Sequence, residues 1–482
     1  METVNNIIST VDNWVWGWVL IVLIMGVGIL LTVRTRFVQV RHLGKALKFM
    51  VKNEEGGKGE VTSFGALCTA LSATIGTGNI VGVATAIAAG GPGALFWMII
   101  AAFFGMATKY SEGVLAIKYR TVDEDNHALG GPFYYIERGL KEIFGGNWKW
   151  LGKLFAFFGV LAGLFGIGTI TQINGITSAA NRVFDKKVLF TLGSGDSKTD
   201  ITLAVVITGL VVTAFAALVI IGGVKRIAKV SEIVVPFMAI AYVLFALIIL
   251  ICNAKAIPSS IALIFKSAFN VSAVGGAIAG VTLKIAIQKG VGRGIFSNEA
   301  GLGSAPIAAA AAQTHSCVRQ GLVTMTGTFI DTIIICTITG LSIVTTGAWN
   351  PQITKQSLEG FDITAYAWKN GLPFHDDFCV IILSVCLAFF AFTTILGWDY
   401  YSERCLEYLI GSKKKSVLLT YRIIYIIAVF VGPYLTVAAV WNIADIFNGL
   451  MAFPNIVALV FLSGVVRKET KEYFKNKNHK LI

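Results

Sequence analysis

Residues 72–93 read Ser-Ala-Thr-Ile-Gly-Thr-Gly-Asn-Ile-Val-Gly-Val-Ala-Thr-Ala-Ile-Ala-Ala-Gly-Gly-Pro-Gly. They belong to an apolar segment long enough to cross a bilayer, yet Gly76, Thr77, Gly78 and Asn79 fall near its middle, where a continuous helix would use Leu and Ala. This predicts a helix broken at mid-membrane. Hydrocarbon tolerates unwound backbone only where protein or a watered cavity surrounds it, so the break implies a purpose. Holding a polar ligand is the commonest one.

The rest of the chain supports a membrane setting. Of its 482 residues 14% are charged and 55% apolar, and the mean hydropathy is +0.73. These values exclude disorder and describe an integral membrane protein. Residues 14–33 give 20 positions without a charge, and no small-residue cleavage site follows, so a retained helix is expected and not a signal peptide. A net charge of +13 would suit nucleic acid, but its placement in short loops argues for topology, and no nucleic-acid partner is expected. The seven cysteines stand singly in apolar surroundings and the five histidines form no ligand pattern, so no metal cluster of that kind is expected.

Lys and Arg set the orientation. Arg34, Arg36, Arg41, Lys45, Lys48, Lys52 and Lys58 follow the first span, which puts that loop in the cytoplasm and the N-terminus outside. Further apolar stretches lie near 62–89, 93–117, 152–182, 200–222, 230–252, 270–289, 318–345, 377–401, 416–437 and 440–465. With the first they make about eleven spans of bilayer length. Loops predicted inside are rich in Lys and Arg down to a cytoplasmic C-terminal tail; loops predicted outside hold few. The expected fold class is an all-α polytopic membrane protein. It divides into an extra helix and basic loop (1–60), a first five-helix repeat (61–255), a second (256–466) and a basic tail (467–482). Five is odd, so the two repeats face opposite ways, which is the arithmetic of an inverted repeat. The opening span of the second half, 270–289, carries Gly275-Gly276 and Gly280 at its centre, matching the first break.

A broken helix offers a small zwitterion two things. Free N–H groups at Thr77, Gly78 and Asn79 suit a carboxylate, and free carbonyls near Ser72 and Ile75 suit a hard cation such as Na+. A glycine-rich packing face is the alternative, though Thr-Gly-Asn in mid-span adds polarity that packing does not need. Thr393 and Thr394 supply adjacent hydroxyls that complete a cation shell, or else bond back to their own helix. Trp398, one turn on, either walls the cavity or belongs to an interfacial belt. Gln172, with Thr169 one turn before it, needs a partner in hydrocarbon: a substrate group or another helix. Asp331 in mid-span either couples protons or, as favoured here, accepts bonds from Lys284 or Thr residues. Lys109 and Glu112 are expected to snorkel or pair, and Glu299 to belong to an inside gate or cap. Residues 123–135 read as a polar loop leading into an interfacial helix with Tyr134, Tyr135 and Ile136, 294–306 as an inside connection, and 349–374 as an outside loop long enough for a lid. No Walker motif, HExxH or GxSxG is present, so an enzyme is not expected.

At these residues the chain resembles the alanine or glycine:cation symporter family, also called sodium:alanine symporters, within the leucine-transporter fold superfamily. The family's signature is met by Gly90, Gly91, Pro92, Gly93, Ala94, Leu95, Phe96, Trp97, Met98 and Gly105, with Ile99 in place of the pattern's Trp. The likeness continues through Gly76 to Ile80, Ala107 to Tyr110, Arg293 to Pro306 and Gly397-Trp398, and covers nearly the whole chain. It implies Na+-coupled uptake of a small neutral amino acid by five-plus-five inverted repeats and one extra helix, with Na+ co-transported and no organic cofactor. By motif, Thr77 and Gly78 would hold the substrate carboxylate, and Gly76, Asn79, Thr169, Gln172, Gly275, Gly276 and Trp398 would line the pocket. Carbonyls of Ser72, Ile75 and Phe390 with the hydroxyls of Thr393 and Thr394 would coordinate Na+. The expected setting is the inner membrane of a prokaryote, with the lipid bilayer and the amino acid as partners and no obligatory protein partner. The alternatives are a larger substrate such as glutamine, H+ coupling through Asp331, or a channel or receptor that binds without pumping.

Overall fold

The computed structural model describes residues 2–54, 56–124, 126–184, 187–192, 199–269, 283–411, 415–435 and 437–475. Helices dominate, with two small antiparallel hairpins: Thr121–Val122 with Ala128–Leu129, and Val188–Leu192 with Thr199–Thr202. Among the described residues eight helices are long and apolar enough to cross a bilayer, and a bent pair makes a ninth. That pair is the predicted break. Ser63–Thr74 and Gly78–Gly90 meet at 54°. Thr62 starts the first half by accepting the Gly65 N–H at 2.8 Å, satisfying one of the donors a helix start leaves open. Ile75 ends it in extended backbone, and a π-helical turn, Gly78–Gly82, begins the second half.

The first expected span appears as Glu2–Val15 followed by the 17-residue apolar helix Trp18–Arg34. Most of the second predicted break, including Gly275, Gly276 and Gly280, lies outside the described residues, which resume with the helix Leu283–Asn298. Gly93–Lys118 lies at the centre of the bundle, packed against Cys317–Thr328 and Leu283–Asn298. Its most apolar window is 67% buried, whereas that of Leu203–Ile220 is 28% buried, so the latter stands on the perimeter. Perimeter side chains such as Leu218, Phe237 and Ile240 are apolar and exposed, as a lipid-facing surface requires.

Several expectations change. The predicted interfacial helix is Pro132–Phe144, but Tyr135 is fully buried and donates to Asn455, so this helix is packed into the bundle by one face. Residues 294–298 of the expected inside connection are helical, leaving a short turn in which Glu299, Gly301 and Gly303 all take positive φ. The helix Val437–Lys475 runs through the expected boundary at 466/467. Residues 349–374 hold two helices, Pro351–Thr354 and Phe361–Gly371, and the Thr364 hydroxyl donates to the Ile80 carbonyl at 3.1 Å.

Candidate functional site

The break brings most of the described predicted ligands together. The Thr394 hydroxyl lies 3.2 Å from the Ile75 carbonyl oxygen and 3.0 Å from that of Phe390, while the Thr393 hydroxyl lies 3.0 Å from the same Phe390 oxygen. Four neutral oxygens from two helices therefore share one small volume, the donor chemistry a hard monovalent cation prefers. Ser72 lies one helical turn before Ile75. Its own hydroxyl donates to Thr69, and a β-carbon at Gly397 would stand 2.7 Å from it and 2.6 Å from the Ala73 nitrogen. Only glycine at 397 lets Asp376–Ile410 approach the broken helix this closely.

Gly76 is constrained likewise. An added β-carbon would sit 2.6 Å from Thr394 Oγ1 and 3.1 Å from Gln172 Oε1. That Gln172 oxygen accepts the Thr77 N–H at 3.2 Å, and its Nε2 donates to the Ile167 carbonyl at 2.9 Å. The amide therefore takes another helix as partner and covers a donor that the sequence reserved for a ligand. Thr169 donates to the Leu164 carbonyl at 2.7 Å, closing an interruption between Lys149–Phe165 and Ile170–Val183.

Thr77 stands at a cavity of about 610 Å³, lined also by Val81, Thr85, Asn174, Ser178 and Phe361. The Thr77 hydroxyl is buried and, among the described residues, has no hydrogen-bond partner. An unpaired hydroxyl in such a place costs on the order of 1–3 kcal/mol, which a bound polar group recovers. Thr169, Gln172 and Trp398 do not line this cavity. Trp398 is buried elsewhere, against Gly168, with its indole N–H donating to Glu299 at 2.9 Å. It is neither a wall of this cavity nor a belt residue.

Asp331 anchors the other side of the break. Asn79 Nδ2 donates to its Oδ1 at 2.7 Å, and the hydroxyls of Ser297 and Thr332 donate to its Oδ2 at 2.9 and 2.7 Å. Lys284 plays no part in this, since its ammonium lies over the Trp18 ring instead. Asn79 also accepts the Gly76 N–H at 2.9 Å, so one side chain spans the break and ties it to Asp331. Lys109 and Glu112 do not snorkel: both are buried, and Glu112 accepts from Asn455 at 2.7 Å. Glu299 is buried too, accepting from Ser304 and Trp398.

Sequence reasoning passed over Gly175 and Ser178. A β-carbon on Gly175 would stand 2.7 Å from the Thr77 methyl. The signal was present in the spacing: Gly175 follows Gln172 by three residues and Ser178 follows Gly175 by three, which makes each pair surface neighbours on the helix.

At the opposite end an ion cluster ties the start of the broken helix to its neighbours. Arg404 Nη2 contacts both oxygens of Glu60 at 2.8 and 2.7 Å, Arg404 Nη1 reaches Glu407 at 2.9 Å, and His127 Nε2 meets Glu407 at 2.7 Å. Such a bidentate, desolvated network holds its members far more firmly than a surface pair.

The sodium:alanine symporter family model matches residues 1–481. The chain belongs to the sodium:alanine symporter family. This symporter is 52% identical to an uncharacterized transporter of Haemophilus influenzae over 98% of its length and 97% of the relative's. It is 48% identical to the sodium/alanine symporter AgcS of Methanococcus maripaludis, covering 97% of each chain. The probable sodium/glutamine symporter GlnT of Bacillus subtilis is 36% identical, over 99% of this chain and 92% of that one. The solved structure of MhsT in complex with L-phenylalanine superposes with a TM-score of 0.55 at 13% identity, covering 86% of the symporter and 99% of MhsT, which shows the leucine-transporter fold. The family consists of transporters and not enzymes.

The ion cluster makes stability depend on pH. Hydrogen bonding to Glu407 and then Glu60 outweighs burial and raises His127 from 6.5 to about 9. Burial pushes Glu60 up, but Arg404, His127 and the Ala128 amide override it and hold it at about 2. A raised basic group stabilises fully below its unfolded value and loses that contribution as pH climbs through the folded one; a lowered carboxyl does the reverse. His127 therefore contributes fully below pH 6.5 and loses this by about 9, whereas Glu60 contributes fully above 4.5 and loses this toward about 2. The melting temperature in detergent is expected to fall from pH 6.5 to 9, and His127→Gln to flatten that fall. An equally steep fall in the variant would remove His127 from the account.

Proposed function

We propose that the protein carries alanine, or a similarly small neutral amino acid, into the cell together with Na+ by alternating access. The observation that carries this reading is the broken helix itself. It sets the Ile75 and Phe390 carbonyls and the Thr393 and Thr394 hydroxyls together on one side, and the unpaired Thr77 hydroxyl on a cavity on the other. In this reading Na+ takes the four oxygens with Ser72 beside them, and the amino acid enters through the cavity and displaces Gln172 from the Thr77 N–H. Thr77, Gly78 and Asn79 then face its carboxylate, and Gly275 and Gly276 are proposed to close the pocket from the second repeat. The greater identity to AgcS than to GlnT favours alanine over glutamine.

The cavity is lined by Arg182 and Gly360, both on segments that Lys and Arg counting assigns to the outside, and the Arg404 cluster lies on the inside. With the N-terminus outside and the C-terminus in the cytoplasm, the chain is then open outward. Na+ shapes the break for substrate, so each ligand raises the other's affinity by the same factor. Uptake of labelled alanine into proteoliposomes tests this: accumulation is expected with an inward Na+ gradient and not with K+, and equal rates would overturn coupling.

Thr394 gives a sharper check. Replacing Thr394 by alanine removes one of the four oxygens and leaves the Ile75 carbonyl without its hydroxyl partner. One lost ligand or hydrogen bond of roughly 1–2 kcal/mol corresponds to a rise in half-saturating Na+ of roughly fivefold to thirtyfold. Protein yield is expected to stay above about half of wild type, since such a change is small against total stability. An unchanged Na+ half-saturation would assign the hydroxyl to its own helix alone.

A further inference from the structure

The end of Trp18–Arg34, the short helices that follow it and the last turns of Val437–Lys475 enclose a cavity of about 400 Å³ that shares no lining residue with the broken helix. Arg34, Arg36, Arg41 and Lys45 face it from the N-terminal side, and Arg467, Lys471 and Lys475 from the C-terminal helix. No Asp or Glu is among the lining residues, and no ion pair involves any of these seven cations among the described residues. Most basic surface groups find a carboxylate nearby; seven converging without one repel one another, and that repulsion is relieved when an anion enters.

The cavity is built, not only charged. His42 stacks on Phe474 with ring centroids 3.8 Å apart and planes 10° apart, and the Lys45 ammonium lies 5.2 Å from the centre of the same ring. Burial first, then Lys45 and Arg41, lower His42 to about 4, so it is neutral at pH 7 and serves as a flat wall. Thr35 and Thr470 are buried between the cations. Arg36 and Phe37 both take φ of 56°, a turn that L residues enter reluctantly and that throws Arg36 toward the cavity lining.

The surroundings choose between a soluble anion and a lipid. Val33, Phe37 and Val40 are 60%, 48% and 60% exposed and alternate with the cations, and above them Val19, Val22 and Ile29 continue an exposed apolar stripe along Trp18–Arg34. A soluble phosphate has no use for that stripe; an acyl chain does. We infer that this cavity binds the phosphate headgroup of an anionic glycerophospholipid of the cytoplasmic leaflet, with the acyl chains lying along Trp18–Arg34. The inference rests on the membrane embedding and proposed orientation, and not on the identity of the solute or coupling ion.

Full-length protein in detergent is mixed with equal amounts of phosphatidylglycerol and phosphatidylcholine, and retained lipid is counted by native mass spectrometry. Wild type is expected to retain phosphatidylglycerol over phosphatidylcholine on the order of tenfold. The triple variant Arg36→Gln, Arg41→Gln, Lys471→Gln, and separately the pair Lys45→Gln, Arg467→Gln, are expected to bring that ratio close to one. The pair Lys141→Gln, Lys149→Gln, exposed basic residues elsewhere, is expected to leave it unchanged. Equal retention of the two lipids by wild type, or an unaltered preference in both cavity variants, overturns the assignment. So does sodium phosphate alone, at millimolar concentration, raising the melting temperature as much as phosphatidylglycerol, because the site is then one for soluble phosphate. Na+-driven uptake measured on the same preparations separates failure here from failure of the transport reading.

Discussion

Gly76→Ala is expected to lower Na+-driven uptake by on the order of tenfold to a hundredfold while the protein still reaches the membrane. The new methyl carbon falls 2.6 Å from Thr394 Oγ1 and 3.1 Å from Gln172 Oε1, distances at which something must move. Neither atom moves freely. Thr394 is held to the Ile75 and Phe390 carbonyls, and Gln172 to the Thr77 and Ile167 backbone. Displacing both breaks about two buried hydrogen bonds, each worth roughly 1–3 kcal/mol when a partner is orphaned, and every 1.4 kcal/mol is about a decade in an equilibrium constant. The loss should appear first as a raised Na+ half-saturation, because Thr394 is the nearer atom. Wild-type Na+ dependence in this variant would show that the break has room to spare and that the proposed cation position is wrong.

Asp331→Ala is expected to cost both folding and transport. Its carboxylate receives three donors, from Asn79, Ser297 and Thr332, and is fully buried. Removing it takes the best acceptor from all three and leaves Asn79 and Ser297 only the longer contacts to the residue 331 carbonyl at 3.2 Å and the Cys336 sulfur at 3.3 Å, a cost of roughly 3–5 kcal/mol out of a total stability of about 5–15. Purified yield should fall several-fold, and what survives should not accumulate alanine. Asp331→Asn separates structure from charge. Asparagine keeps an acceptor for Asn79, and the two hydroxyls can rotate to accept from its NH2. If the carboxylate mainly holds Asn79 and the break in place, this variant recovers most of the yield and keeps uptake within about tenfold of wild type, with the wild-type pH profile. A pH profile that flattens in the asparagine variant would assign proton coupling to Asp331 instead.

Much of this was legible in the sequence because the signals were local. Gly-Thr-Gly-Asn in mid-span announced the break, and the hydroxyl at 394 does meet the Ile75 carbonyl there, since unwound backbone in hydrocarbon must find partners. What was not legible depends on packing between segments distant in the chain. Lys109 and Glu112 looked like end-of-span residues, and only the approach of Asn455 shows why Glu112 is buried. Trp398 looked like a pocket wall because it follows Thr394 by one turn, yet the missing side chain of Gly168 draws it away toward Glu299. Gln172 stood out as an amide in hydrocarbon, but the choice between ligand and helix as its partner needed the Thr77 N–H to be located.

The break also separates two allegiances. Its first half, Ser63–Thr74, is fastened to Asp376–Ile410 through Thr394 and the glycine at 397. Its second half is fastened elsewhere, through Asn79 to Asp331 and through the Ile80 carbonyl to Thr364 on Phe361–Gly371. Residues 75–77 thus join two differently fastened halves rather than interrupting one rod. In the proposed reading a solute seated there would touch both, so that its arrival and departure would be felt as torque.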